Sequence, residues 1–183
     1  DLIYGIPNAP LNYWEKQIQK ALELNVNHIS AYCLTIEDKT VFGNWFKTGK
    51  LKLVEDEQSL DQFKMLQSEL NKNGYEHYEI SNFSKNGFIS NHNSAYWLGE
   101  NYIGIGPSAH SYNGESRQWN VANNIKYING FKNKITTFEI EELSQVDRFN
   151  EFILTRLRTK WGVDLESLFL IDNNHKKQTL KTI

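Results

Sequence analysis

The first 35 residues alternate between continuous apolar runs and apolar residues at helical spacing. Residues 1–7 form a short apolar run that ends at Gly5 and Pro7, which predicts a buried strand followed by a turn. A helix is predicted from Pro10, and its apolar positions are Leu11, Trp14, Ile18, Ala21 and Leu22. A second apolar run, Val26 to Leu34, predicts another strand. This order predicts a right-handed βαβ unit with parallel strands and the helix on the outer face.

The middle of the chain contains one clear helical pattern between two segments that lack periodicity. Turn residues dominate from Glu37 to Val54, which predicts a long loop. A helix is predicted from Glu55 to Asn73, followed by a strand from Tyr75 to Ile80. The apolar face of that helix comprises Leu60, Phe63, Leu66 and Leu70. Residues 81–120 are rich in Asn, Ser, Gly and aromatic side chains, and they predict a long loop of the kind that is commonly functional.

The last 40 residues return to helical spacing. Ser144 and Asp147 predict a capping box for a helix that ends at Gly162, and Asp164 predicts the cap of a second, short helix. These two helices are typical of the start of a small helical, winged-helix-like subdomain, which the chain ends before completing. We therefore predict two domains, residues 1–143 and residues 144–183.

Charge and hydropathy exclude several classes of protein. The 183 residues carry a net charge of −2 with acidic and basic side chains interspersed, so we expect no nucleic-acid partner. No apolar stretch of about 18 residues is present, and the chain begins without a leader sequence, so we expect a cytoplasmic protein without a membrane segment. Aromatic residues make up 13% of the chain, which suits either a packed core or a flat apolar ligand.

The chain contains a single cysteine, Cys33. It excludes an intrachain disulfide and a metal site built from several cysteines of this chain. Because Cys33 lies in the apolar run from Ile29 to Leu34, we predict that it is buried.

Four segments carry a family resemblance when they are taken in order. They are residues 1–7 (Asp-Leu-Ile-Tyr-Gly-Ile-Pro), residues 77–83 (His-Tyr-Glu-Ile-Ser-Asn-Phe), residues 92–97 (His-Asn-Ser-Ala-Tyr-Trp) and residues 104–111 (Gly-Ile-Gly-Pro-Ser-Ala-His-Ser), with Trp119-Asn120 after them. Together they resemble the later half of the radical S-adenosylmethionine (SAM) domain in oxygen-independent coproporphyrinogen III oxidases and the related heme chaperones. The resemblance implies an α/β fold, the C-terminal part of a partial (β/α) radical SAM barrel followed by the helical subdomain.

The same resemblance implies cofactors whose ligands lie partly outside this chain. The family holds a [4Fe–4S] cluster on a Cys-x3-Cys-x2-Cys loop, and three thiolates leave one iron open for SAM. This chain lacks that loop, so we expect a C-terminal fragment that has no metal ligands and is inert by itself. By position in the family motifs, Asp1, Thr35 and His110 are implied to contact SAM. Taken alone, Asp1 and Thr35 also suit a frayed terminus and an ordinary strand end, and no catalytic residue is assigned.

The segment from His92 to Trp97 discriminates between branches of the family, because it resembles the heme chaperone (HemW-like) branch. There a neutral imidazole such as His92 can ligate heme iron while Tyr96 and Trp97 pack on the macrocycle. The alternative is a loop histidine bonded to backbone beside core aromatics. The chaperone interpretation implies heme or a porphyrin as partner and an apo-heme protein as acceptor, including one associated with a membrane. The rival is an enzyme, coproporphyrinogen III dehydrogenase, which decarboxylates two propionates to vinyl groups.

Other candidate groups receive structural interpretations. Gly104-x-Gly106 is a poor phosphate loop and predicts a tight turn that leads into a ligand pocket. His28, His77 and His175 lack metal-ligand spacing, so we predict structural or surface roles for them. The acidic run 139–142 predicts a solvated face. The charged residues Arg148, Glu151 and Arg156 to Arg158 predict ion pairs along one helix.

Overall fold

A computed structural model describes residues 1–172 and divides the chain into two compact units. The first unit is Asp1–Ser90, and the second begins at Asn91. The domain division after residue 143 lies within the second unit and stays a prediction. His175 and the end of the predicted second domain lie outside the described residues.

The first unit begins with the predicted βαβ arrangement. Strand β1 (Leu2–Tyr4) is followed by helix α1 (Leu11–Glu23) and strand β2 (His28–Cys33). The strands pair in parallel, with Leu2 opposite Ala31. The prediction of parallel strands joined by a helix is therefore confirmed.

Two further strands complete an open, four-stranded mixed sheet. Strand β3 (Glu76–Glu79) and strand β4 (Asn82–Ser84) form an antiparallel hairpin, and β4 also pairs antiparallel with β2. The strand order is β1-β2-β4-β3. Strand β4 lies inside the segment that was predicted to be loop, because three residues are too few to show a period.

Two further helices of the first unit are predicted only partly by the sequence. The long helix Asp56–Lys72 confirms the predicted one, but Leu60 is 48% exposed and the polar Gln62 is buried instead. A short helix, Val41–Lys47, occupies the predicted loop, and the Thr40 hydroxyl caps it by accepting from the Gly43 N–H at 3.0 Å. We label these helices α3 and α2, respectively.

The core of the first unit consists of buried side chains from α1, α3, Tyr75 and the sheet. They are Trp14, Ile18, Ile29, Ala31, Leu66, Leu70, Tyr75 and Phe83. The prediction that Cys33 is buried is wrong, because only residues 29–31 of β2 lie in the core and the strand ends with the exposed pair Tyr32 and Cys33.

The second unit contains a three-stranded antiparallel sheet with short helices around it. In chain order its elements are α4 (Asn91–Trp97), β5 (His110–Tyr112), β6 (Ser116–Asn120), α5 (Asn124–Asn133), β7 (Phe138–Glu142), α6 (Gln145–Arg156) and α7 (Leu165–Ile171). The strand order is β5-β6-β7, and this sheet is also open. Helix α4 and strands β5 and β6 lie within the predicted loop of residues 81–120. The acidic run is solvated as predicted, although it forms strand β7.

The helix caps of this unit agree with the sequence. Ser144 and Asp147 form the predicted capping box of α6, and the Asp164 carboxylate accepts from the Ser167 N–H at 2.8 Å at the start of α7. Helix α6 ends at Arg156 rather than Gly162. The apolar pattern does not extend the helix because Leu157 is largely exposed and contributes little packing.

Candidate functional site

Helix α4 carries the histidine and aromatic residues of the motif at residues 92–97. His92 and Tyr96 are four residues apart, so they lie on the same helix face. Their rings meet edge to face, with centroids 5.1 Å apart and planes at 87°. Both side chains are exposed, whereas Trp97, about 100° further round the helix, is half-buried. The motif therefore lies on a helix and not, as predicted, in a loop.

Two tyrosines outside the motif extend this aromatic surface. The ring of Tyr102 lies 4.8 Å from that of Tyr96 and 6.0 Å from that of Tyr112. The backbones of Tyr102 and Tyr112 exchange two N–H···O hydrogen bonds of 2.9 Å, which fix this part of the surface. We call His92, Tyr96, Tyr102 and Tyr112 the aromatic row. The sequence analysis missed the two added tyrosines, because only the fold brings them beside α4.

The aromatic row borders a cavity of about 330 Å³, and three arginines also line this cavity. Its charged lining residues are Arg117, Arg148, Glu151 and Arg156. We call it the arginine cavity. Glu151 is its sole carboxylate among the described lining residues, so the three guanidinium groups leave a positive surplus.

Glu151 of α6 is paired with Arg117 of β6 rather than with an arginine of its own helix. The distance from Arg117 Nη2 to Glu151 Oε2 is 2.9 Å. Burial has the largest single effect on the pKa of Arg117 and lowers it, but Glu151, Tyr102 and Glu141 together raise that pKa above its ordinary value. The predicted ion pairs along α6 are therefore replaced at Glu151 by a pair between helix and sheet.

The other two arginines differ in their hydrogen bonding. Arg156 donates from Nη2 to the Leu98 carbonyl at 2.9 Å, and its guanidinium carbon lies 5.0 Å from the centre of the Phe152 ring. The Nε of Arg148 is buried and has no hydrogen-bond partner among residues 1–172. Because buried polar groups are normally paired, Arg148 is the cavity residue whose donor capacity is least used.

The glycine motif forms a closed turn. Gly104 N–H donates to Ser111 Oγ at 3.0 Å, and Gly106 N–H donates to the Tyr127 hydroxyl at 3.2 Å. The side-chain amide of Asn120 donates to the carbonyls of both glycines. These amide protons are thus already used, which favours the predicted tight turn over an anion-binding loop.

The three predicted SAM residues occupy different places. Asp1 precedes β1, and Thr35 follows β2; both are exposed. Because β1 and β2 run parallel with Leu2 opposite Ala31, these residues lie at opposite ends of the strand pair, on the order of 15 Å apart along it. His110 is exposed at the start of β5 in the second unit, with its ring 6.2 Å from that of Trp119. The fold does not bring Asp1 and Thr35 together, and the SAM assignment stays a prediction.

Two other histidines have structural partners in the first unit. His28 Nε2 lies 2.8 Å from the Tyr78 hydroxyl, and His77 stacks on Phe83 with ring centres 4.3 Å apart. Residues 1–172 contain no group of three or more His, Cys, Asp or Glu side chains placed to hold a metal ion. The predicted structural roles of His28 and His77 are confirmed.

A buried polar cluster within the motif at residues 77–83 was not identified from the sequence. Asn82 accepts from Ser30 Oγ at 2.5 Å, and its side-chain amide donates to the buried Glu79 carboxylate. The Glu79 carboxylate also accepts from the Ser81 N–H at 3.4 Å. These bonds fix the β3–β4 hairpin against β2, which gives this motif a structural purpose.

Several curated proteins that carry the same name are similar to this chain. A protein named Heme chaperone HemW from Bacillus subtilis (strain 168) is 37% identical over 164 residues, covering 89% of this chain and 43% of the relative. Proteins of the same name from Lactococcus lactis and Synechocystis are 37% and 31% identical and cover 91% and 100% of this chain. The chain spans less than half the length of these relatives. No family model matches the sequence.

A solved structure shows the fold. Coproporphyrinogen III oxidase (HemN) from Escherichia coli, described as a radical SAM enzyme, matches with a TM-score of 0.72 at 18% identity, over 92% of this chain and 42% of that one. The predicted α/β fold class is confirmed, with open sheets rather than a closed barrel. In the described part of the chain, no helix has the length and apolarity needed to cross a membrane.

Proposed function

Because this chain belongs to the radical SAM family that includes HemW and HemN, we propose that it supplies the heme-binding surface of a heme chaperone. The surface is the exposed face of α4, continued by the aromatic row. In this proposal the whole protein binds heme and transfers it to an apo-heme protein. The cytoplasmic location stays a prediction from the sequence.

The observation that carries the proposal is the pairing of His92 with Tyr96 on one exposed helix face. A neutral imidazole is a common ligand of heme iron, and an aromatic ring beside it can pack on the macrocycle. Burial of a few hundred Å² of porphyrin, at about 25 cal/mol per Å², supplies several kcal/mol before any iron is ligated. Binding therefore does not depend on His92 alone.

The family implies a [4Fe–4S] cluster and SAM, and this chain has candidate contacts for SAM only. A cluster held by three thiolates does not fit, because the chain contains only Cys33. For SAM, Asp1, Thr35 and His110 are the proposed contacts, with Asp1 and Thr35 at opposite strand ends. We therefore assign no reaction step to these residues.

A chaperone is favoured over an oxidase by the names of the sequence relatives. The likeness to HemN, at 18% identity, supports the fold that the two branches share and does not choose between them. The two functions differ in class, since one binds and transfers heme and the other oxidatively decarboxylates a porphyrinogen.

Heme titration of this chain, followed in the Soret region, tests the proposal. We expect saturable binding, a partial loss of affinity or an altered Soret band with His92→Ala, and a larger loss when Tyr96→Ala and Trp97→Ala are added. Tyr13→Ala is the matched control, because Tyr13 and Tyr96 are both 46% exposed and Tyr13 lies in the first unit. If heme does not bind saturably while a protein carrying this chain and the cysteine loop converts coproporphyrinogen III, the oxidase function replaces the proposed one.

A further inference from the structure

The arginine cavity has the chemistry of a carboxylate site. Arginine stays charged at all physiological pH values and presents planar donors that match the two oxygens of a carboxylate. Three such groups line the cavity, against one carboxylate, Glu151, that already bonds to Arg117. An added carboxylate would therefore reduce the positive surplus.

Arg148 is the residue best placed to receive this ligand. Arg117 is paired with Glu151, and Arg156 donates to the Leu98 carbonyl. Arg148 differs, because its buried Nε has no hydrogen-bond partner among the described residues. That nitrogen is too buried for a ligand to reach, so a ligand carboxylate would bond to the terminal nitrogens of the Arg148 guanidinium, which lines the cavity.

The cavity is continuous with the proposed heme surface. Tyr96 belongs to the α4 face and also lines the cavity, together with Tyr102 and Tyr112. At about 330 Å³ the cavity suits one edge of a porphyrin rather than the whole macrocycle. A heme carries its two propionate carboxylates on one edge, so an apolar macrocycle on the aromatic row would direct them towards the arginines.

We propose that the arginine cavity binds a propionate of the heme held by α4, with Arg148 as its principal partner. This inference rests on the proposed heme-binding function and deepens it. The carboxylates fix the orientation of the macrocycle, and the aromatic row supplies the apolar contact.

Comparison of heme with heme dimethyl ester, in which both propionates are esterified, tests the inference on this chain. We expect the wild-type chain to bind heme about ten- to a hundredfold more tightly than the ester, the usual range for a hydrogen bond to a charged group. Arg148→Gln should weaken heme binding by a similar factor and remove the preference over the ester. Arg148→Lys, which keeps the charge, should retain part of the preference.

Arg158→Gln is the matched control, because Arg158 is exposed, lies just beyond α6 and does not line the cavity. Circular dichroism and thermal midpoints verify that each variant is folded.

If heme binds but Arg148→Gln keeps the wild-type preference over the ester, the propionate site is refuted while heme binding stands. If neither heme nor the ester binds, both proposals fail. Succinate provides a free carboxylate. If it raises the thermal midpoint of the wild type but not that of Arg148→Gln, while heme and the ester bind equally, the cavity binds a free carboxylate and the propionate assignment is wrong.

Discussion

The side chain of Gln62, on helix α3, accepts a hydrogen bond from the backbone N–H of Gly5 at 2.7 Å, just beyond the end of β1. Gln62 is only 1% exposed, so this bond lies in the interior of the first unit. The backbone carbonyl of Gln62 also accepts from the Trp14 indole at 2.9 Å. One residue thus joins α3 to both the strand end and α1.

Replacement of Gln62 by Leu should destabilise the chain. The Gly5 N–H would remain buried without an acceptor, which typically costs about 1–3 kcal/mol. Urea denaturation measures the loss. Gln58→Leu, one turn earlier on α3, is the control, since Gln58 is exposed and its bond to the Ala9 carbonyl is long at 3.4 Å. Equal stabilities of the two variants would contradict the buried bond.

Gln62 also illustrates why the sequence predicts some features and not others. The apolar period of α3 predicts its existence, but the buried row is 62, 66 and 70, so the face is rotated away from Leu60. Apolar periodicity assigns Leu60 to the core because it considers only apolar residues. It therefore cannot predict that a glutamine is buried by bonding to the backbone. The caps at Ser144 and Asp164 were predictable because each involves residues only three apart.

The candidate site shows the same distinction between local and distant contacts. His92 and Tyr96 are adjacent through helix geometry, so a motif of six residues is enough to identify them. The contact of Tyr96 with Tyr102 and the pair between Arg117 and Glu151 depend on how separate elements pack. No spacing in a single sequence encodes them.

Gly130→Ala should destabilise the second unit, although Ala is the better helix former by about 1 kcal/mol. Gly130 is buried in α5, and an added Cβ would lie 2.0 Å from Thr137 Cγ2. We expect overpacking to cost about 1–3 kcal/mol in thermal or urea unfolding. Adding Thr137→Ser, which removes Cγ2, should restore part of the loss. If Gly130→Ala alone were more stable than the wild type, Thr137 would have moved away from the added Cβ without cost.

Anaerobic reconstitution of this chain with iron and sulfide should give no [4Fe–4S] absorption. Three thiolates are needed, and the sequence provides Cys33 alone. The Cys33→Ser variant should give the same spectrum as the wild type. A stable, stoichiometric cluster on the monomer, lost in Cys33→Ser, would contradict this expectation.

His28 should make the stability of the first unit depend on pH. Burial lowers the pKa of His28 most, the N-terminal charge lowers it further, and Glu79 partly opposes both. The folded chain therefore binds fewer protons at this residue than the unfolded chain, whose histidine titrates near about 6.5. The stabilising contribution is complete above that pH and decreases as the pH falls towards the lower folded pKa.

We expect the urea midpoint to fall between about pH 7 and pH 5 by a modest amount, since His28 is only partly buried. His28→Gln can keep a hydrogen bond to the Tyr78 hydroxyl but cannot take up a proton, so its midpoint should change less over this range. His92→Gln, at an exposed position outside this unit, should follow the wild type. If His28→Gln and the wild type had identical pH profiles, the pH dependence of the urea midpoint would come from groups other than His28.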